Sequence, residues 1–166
     1  MYEKQNLALL DPITLFEIHM RLMKASEYGI HGVIYLAMQP KDKITVLDEV
    51  AEAQKIPKSY LSKIFQAYTK AGILKSYRGA NKGFALAKSP DKITLKELIE
   101  SCEGKLFHDE CLLGKGDCPR NERCTVSVKW REAVEAMNKI LEVTTLEQLK
   151  QNLDNGLDTE NYREIL

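Results

Sequence analysis

The sequence predicts a mostly α-helical fold with one small β-hairpin, a winged helix-turn-helix followed by a long C-terminal dimerisation helix. Three observations predict it. Two short amphipathic segments, one through Val50 and one from Leu61 to Tyr68, are separated only by the turn at Ile56-Pro57. Two alternating segments, Ile73–Tyr77 and Phe84–Ala87, follow at once around a glycine-containing turn. Between Lys55 and Lys88 there are eight Lys or Arg residues and no Asp or Glu, in a chain whose formal net charge is zero.

Each element has its own local reason. Residues 1–19 carry an apolar patch broken by Asp11-Pro12 and read as an extension packed on the body. From Ser26 to Met38 the apolar residues Ile30, Val33, Ile34, Ala37 and Met38 recur at helical spacing. Ser26 is the expected N-cap, Glu27 sits in the first turn, and Pro40 follows the end. Thr45 is expected to cap a short helix through Ala53 that buries Val46 or Leu47 together with Val50. In the next helix Leu61, Ile64, Phe65 and Tyr68 form one apolar face, and Gly72 is the residue just past its end. After the hairpin and Pro90, a helix from Thr94 to about Cys102 buries Leu95, Leu98 and Ile99. A longer helix from Thr125 to Leu141 carries a stripe of Val126 or Val128, Trp130, Val134, Met137 and Leu141, and a short one spans Thr144 to Asn152.

A block of 34 residues without one acid is the electrostatic footprint of a phosphate-binding face. The second helix of such a unit enters the major groove, and a basic hairpin reaches phosphates or the minor groove. Ser59, Tyr60, Ser62, Lys63 and Gln66 lie off the apolar face of that helix. With Arg78, Asn81 and Lys82 of the wing they are the expected contacts to double-stranded DNA. Two-fold DNA sites favour two-fold proteins, so the long helix is expected to pair with its symmetry mate in a homodimer.

All four cysteines fall between residues 102 and 124, and Cys111, Cys118 and Cys124 are separated by six and five residues around Gly114, Gly116 and Pro119. Thiols gathered in one loop suit a soft metal. Charged neighbours, among them Glu110, Lys115, Asp117 and Arg120, argue against simple burial of the last three. A disulfide framework is not needed to hold a domain of this length, and no signal-peptide core opens the chain. Spacing does not separate zinc from iron, although the two-residue knuckle common in structural zinc sites is absent. No apolar run approaches the roughly 20 residues that span a bilayer, so a cytoplasmic protein is expected. Phosphate-loop, GxSxG and HExxH motifs are absent. A thiol enzyme could be drawn on a Cys–His pair such as Cys111 with His108, but nothing in the sequence shows a thiolate–imidazole geometry.

Taken in order, MRLMKASEYGIHGVIYLA, IPKSYLSKIFQAYTKAGILKSYRGANKGFALAK, ITLKELIESCEG, CLLGKGDCPRNERC, the Trp130 position and VTTLEQL resemble the bacterial Rrf-type winged-helix regulators. These include repressors of iron–sulfur cluster assembly, nitric-oxide-sensing repressors and cysteine-metabolism repressors. The resemblance runs from about Met20 to Asn152. It implies a homodimer in which an iron–sulfur cluster, two-iron or four-iron, is held by Cys111, Cys118 and Cys124 and tunes operator affinity. Some members place a histidine three residues after the last cysteine; here that residue is Ser127. In others the partner subunit's first helix supplies the fourth ligand, and the matching positions are Glu27 and His31, four apart on one helix face. Cys102 precedes the motif by eight residues and is a lesser candidate. The expected organisation is an N-terminal extension (1–19), a winged helix-turn-helix (20–101), a cysteine loop (102–125), a dimerisation helix with a short helix (126–152) and an acidic tail (153–166). The alternatives are a zinc-stabilised or thiol–disulfide-switched DNA-binding regulator and, in another class, the thiol enzyme.

Overall fold

The computed structural model describes residues 24–41, 43–79, 82–104 and 124–154. The expected N-terminal extension lies outside them, as do Asn81, His108, Cys111, Cys118 and the acidic tail beyond Asp154; Leu153 and Asp154, expected in that tail, close a helix instead. Six helices and a two-stranded hairpin are described: α1 (Lys24–Ala37), α2 (Leu47–Ala53), α3 (Lys58–Lys70), β1 (Leu74–Tyr77), β2 (Gly83–Leu86), α4 (Leu95–Glu103), α5 (Thr125–Val143) and α6 (Leu146–Asp154).

The core forms where α1 crosses α3 and α4. Its interior holds Val33 and Leu36 of α1, Leu61, Phe65 and Tyr68 of α3, and Leu98 of α4, closed by Val50, Ile73, Ile93 and Leu146. The close crossing of α1 and α3 depends on two glycines. A Cβ at Gly32 would stand 2.8 Å from Phe65 Cε1, and one at Gly29 would overlap the Tyr68 hydroxyl. Larger residues there would force the reading helix off its support.

The predicted apolar face of α3 is buried at all four positions, and Gly72 takes the expected left-handed conformation after the C-cap Ala71. Two expected caps are corrected. Ser26 is not an N-cap: the helix already runs from Lys24, and Ser26 is fully buried within it, on the side that packs inward. Thr45 does not cap α2, whose N-cap is Val46 without a side-chain bond. Thr45 instead bridges the wing: its N–H donates to Phe84 O at 2.9 Å and its carbonyl accepts from Phe84 N at 2.8 Å. The extended backbone that this pairing demands is a tertiary requirement that a capping preference cannot foresee. Val46 is exposed, and Leu47 and Val50 form the packed face.

The hairpin pairs Leu74 with Leu86 and Tyr77 with Gly83 in antiparallel register. β2, which lies between β1 and Thr45, reaches the body through Gly83, where an added Cβ would lie 2.6 Å from the Thr45 carbonyl oxygen. Phe84 packs edge-on against Phe65 with ring centroids 5.1 Å apart, joining wing to α3. Gly83→Val should therefore lower the unfolding free energy by about 1–3 kcal/mol and detach the wing. Chemical denaturation checks the first effect, and faster amide exchange at Thr45 and Phe84 checks the second.

Thr94, expected as the first residue of this helix, is its N-cap, accepting a hydrogen bond from Glu97 N at 3.2 Å. On α5 the inward stripe is Ser127, Trp130, Val134, Met137 and Leu141, with Ser127 and Val134 most deeply buried. Val126 and Val128, either of which the spacing placed on that stripe, are both exposed. The end of α5 is tied back to the body. Leu95 N donates to Thr144 O and Leu146 N to Ile93 O, each at 2.8 Å, and Lys96 pairs with Glu142 at 2.6 Å.

Candidate nucleic-acid interface and metal centre

The turn from α2 into α3 brings Pro57 to the N-cap of α3. Ser59, Lys63 and Gln66 are exposed along its outer face, whereas Ser62 is half-buried and faces the Gln66 amide at 3.5 Å. Tyr60 is half-buried, with its ring edge-on to Tyr28 at a centroid distance of 5.6 Å. In the wing Arg78 and Lys82 are exposed on either side of the turn. Outward positions of β1 add Lys75, Ser76 and Tyr77. Lys63, Lys75, Arg78 and Lys82 form no ion pair with a described acid. Helix and wing thus present one cationic surface whose charge is not neutralised internally.

Sequence reasoning passed over Lys58 and Lys75. Lys58 opens α3 and reaches Asp48 of α2 at 2.5 Å, an exposed pair that braces the two helices and stabilises them little. Both lie inside the acid-free block, which was the signal for them. Behind α2, Glu49 receives hydrogen bonds from the Tyr35 hydroxyl at 3.1 Å and Lys43 Nζ at 2.7 Å. The Lys43 ammonium beside it holds the Glu49 carboxyl below the usual carboxylate range.

Of the proposed thiol ligands, Cys124 is described. It is the half-buried N-cap residue of α5, with no side-chain capping bond. Its position at the positive end of the helix dipole favours an anionic ligand set. Ser127, one turn on, is buried. Glu27 and His31 share a face of α1, as their spacing requires. Glu27 pairs with Lys24 at 3.0 Å. Burial pushes the His31 imidazole below its ordinary pKa despite the opposing carboxylate of Glu27, which favours the neutral form that a metal requires. Among the described residues no three His, Cys, Asp or Glu side chains come together.

Cys102 stands apart from Cys124 by simple geometry. Leu95 and Thr144 are hydrogen-bonded neighbours. From there α5 runs about 30 Å to Cys124, while α4 runs only about 10 Å to Cys102. The two cysteines of one chain are therefore separated by roughly 15 Å or more, whatever the angle between the helices. Cys102 is half-buried at the end of α4, where its thiol lies against Tyr68; burial pushes that thiol up.

The profile of the Rrf2 family, described as an iron-dependent transcriptional regulator, matches residues 22–152. The chain belongs to the Rrf2 family. The HTH-type transcriptional regulator NsrR of Shouchella clausii is 31% identical over 136 residues, covering 81% of this chain and 91% of that protein. The HTH-type transcriptional regulator IscR of Erwinia tasmaniensis is 30% identical over 148 residues, 88% of this chain and 89% of that one. Among solved structures, CymR, the global cysteine regulator of B. subtilis, superposes with a TM-score of 0.64 at 28% identity, covering 80% of this chain and 97% of CymR. The Rrf2 protein described here is a winged-helix transcriptional regulator and not an enzyme. The thiol-enzyme alternative drawn on Cys111 and His108 is set aside. No described helix is long and apolar enough to cross a membrane.

Proposed function

We propose that this Rrf2 regulator is a cytoplasmic homodimer that binds a double-stranded operator with an affinity set by an iron–sulfur cluster, held by Cys111, Cys118 and Cys124. The observation that carries the reading is the confinement of these three thiols to one short stretch of sequence that ends at the N-terminus of α5, in a family described as iron-dependent. Thiolates match iron and its sulfides in softness, so the donor set fits such a group. When bound, the cluster supplies a redox- and nitric-oxide-sensitive centre; everything else falls to the protein. Ser59, Tyr60, Ser62, Lys63 and Gln66 of α3 meet the major groove, and Arg78, Asn81 and Lys82 of the wing meet phosphates or the minor groove.

The dimer reading is supported by α5 itself. Val126, Lys129, Ala133, Ala136, Ile140 and Val143 are all exposed and follow the alternating three- and four-residue spacing of a two-helix seam. Ile140 and Val143 are each 62% exposed, an unfavourable arrangement for an isolated chain. The separation of Cys102 from Cys124 favours an acid or imidazole as the fourth ligand over Cys102. Glu27 or His31 of the partner's α1 would fill it, because Ser127 offers only a poor hydroxyl donor.

Anaerobic purification with visible spectroscopy and iron, sulfide and zinc assays tests the reading, followed by operator binding before and after cluster loss. A brown, iron- and sulfide-containing dimer whose affinity changes on bleaching is expected. Glu27→Ala or His31→Ala should shift its spectrum or shorten the cluster's lifetime in air. If neither does, the ligand from the partner is wrong. The likeness to CymR favours a second reading, a cluster-free regulator switched by zinc or thiol oxidation. A colourless protein whose operator affinity follows zinc content or thiol state would establish it.

A further inference from the structure

Tyr68 is the largest side chain with no exposed surface, and its hydroxyl has no hydrogen-bond partner among the described residues. A buried, unsatisfied hydroxyl destabilises a fold, and phenylalanine at the same place would avoid the penalty. The hydroxyl lies where α1, α3 and α4 meet. It occupies the space that a side chain at Gly29 would need, and it faces the Cys102 thiol on the last turn of α4 closely enough to bear on that group's ionisation. The Tyr68 hydroxyl and the Cys102 thiol lie within reach of a side-chain hydrogen bond, but the contact falls short of full hydrogen-bond geometry. Burial holds the hydroxyl firmly protonated, so it can only donate or remain a neutral acceptor.

Cys102 also lines a cavity of about 180 Å³ with Ala25 of α1 and Tyr60, Lys63, Ile64 and Ala67 of α3. The pocket is partly open to solvent, and its α3 wall includes Tyr60 and Lys63, two of the proposed DNA contacts. An unfilled pocket beside α3 leaves room for that helix to shift without clashing. In sequence, eight residues separate Cys102 from Cys111, and α4 ends at Glu103 with Gly104 as its C-cap. The last turn of α4 is thus chained directly to the loop at one end and packed on the reading helix at the other.

We infer that Cys102 and Tyr68 are positioning residues that relay the state of the cysteine loop to α3: a small displacement of the last turn of α4 makes or breaks the hydrogen bond from the Tyr68 hydroxyl to the Cys102 sulfur, and α3 shifts into or away from the adjoining cavity. The inference rests on the cluster reading above. It gives Cys102 a role that its distance from Cys124 denies it as a ligand in the same chain. It also supplies the differential contact that coupling between two sites requires.

The test uses the full-length dimer purified anaerobically as wild type, Tyr68→Phe, Cys102→Ala and Cys102→Ser. Affinity for a duplex selected by the wild type is measured with the cluster present and after its removal. The wild type is expected to differ by about tenfold or more between the two states. Tyr68→Phe and Cys102→Ala should keep wild-type iron content and absorbance, while the ratio falls to about threefold or less. Cys102→Ser should keep the full ratio, since a serine hydroxyl can still accept from Tyr68. The denaturation midpoint of Tyr68→Phe should equal or exceed that of the wild type. A wild-type ratio in either Tyr68→Phe or Cys102→Ala overturns the relay, as does a lowered midpoint for Tyr68→Phe. Iron loss in both Cys102 variants would make Cys102 a ligand and overturn it equally. A wild type without iron and with one unchanging affinity instead defeats the cluster reading itself, and the relay falls with it.

Discussion

Serine at any one of positions 111, 118 or 124 is expected to abolish cluster retention, whereas Cys102→Ser leaves it largely intact. A serine oxygen is a hard and weakly acidic donor, and replacing one of three soft thiolates removes a large share of the binding free energy. The expected readout is complete: no visible absorbance and iron near background for Cys111→Ser, Cys118→Ser and Cys124→Ser, against wild-type values for Cys102→Ser. Cys124→Ser has an internal control, because serine is a better N-cap than cysteine. That variant should keep or gain helical stability at α5 while losing the metal, which separates ligand loss from unfolding. Retention of the cluster by Cys118→Ser together with its loss from Cys102→Ser would show the ligand set to be wrong.

Lys63→Ala combined with Arg78→Ala should weaken operator binding on the order of 100-fold at physiological salt. The two cations lie on different elements, α3 and the wing, and both are exposed without an acidic partner among the described residues. Each one that contacts a phosphate should take about one unit from the slope of log affinity against log salt. If Lys63 instead meets a base edge, its loss should relax sequence preference at one position and leave the salt slope unchanged. Titration of a fluorescent duplex at several salt concentrations distinguishes these outcomes. Full affinity in the double variant, or binding indifferent to salt, would remove α3 and the wing from the interface.

The helices and the hairpin could be read in advance because their signals are local. The apolar face Leu61, Ile64, Phe65 and Tyr68 depends only on helical period, and the left-handed Gly72 only on the geometry of a helix end. The start of α4 at Thr94 was legible to within one residue for the same reason. Thr45 and Ser26 were misjudged because each is assigned by what lies across from it. Thr45 is held by Phe84, some forty residues on, and Ser26 is enclosed by helices that meet α1. On α5, periodicity marked a stripe but could not choose Val126 or Val128 against Ser127, because which side of a helix faces inward depends on the neighbour it packs against.

The proposed site divides in the same way. Residue type and order alone gather the thiols Cys111, Cys118 and Cys124 in one short stretch and place a block of cations without acids, since these are properties of composition along the chain. Distance is not such a property. That Cys102 stands roughly 15 Å or more from Cys124, and that it meets the unsatisfied hydroxyl of Tyr68 beside the reading helix, follows only from how α4 and α5 are tied together at Leu95 and Thr144. Side-chain chemistry can be read from the order of residues, but which groups share one small volume is decided by packing.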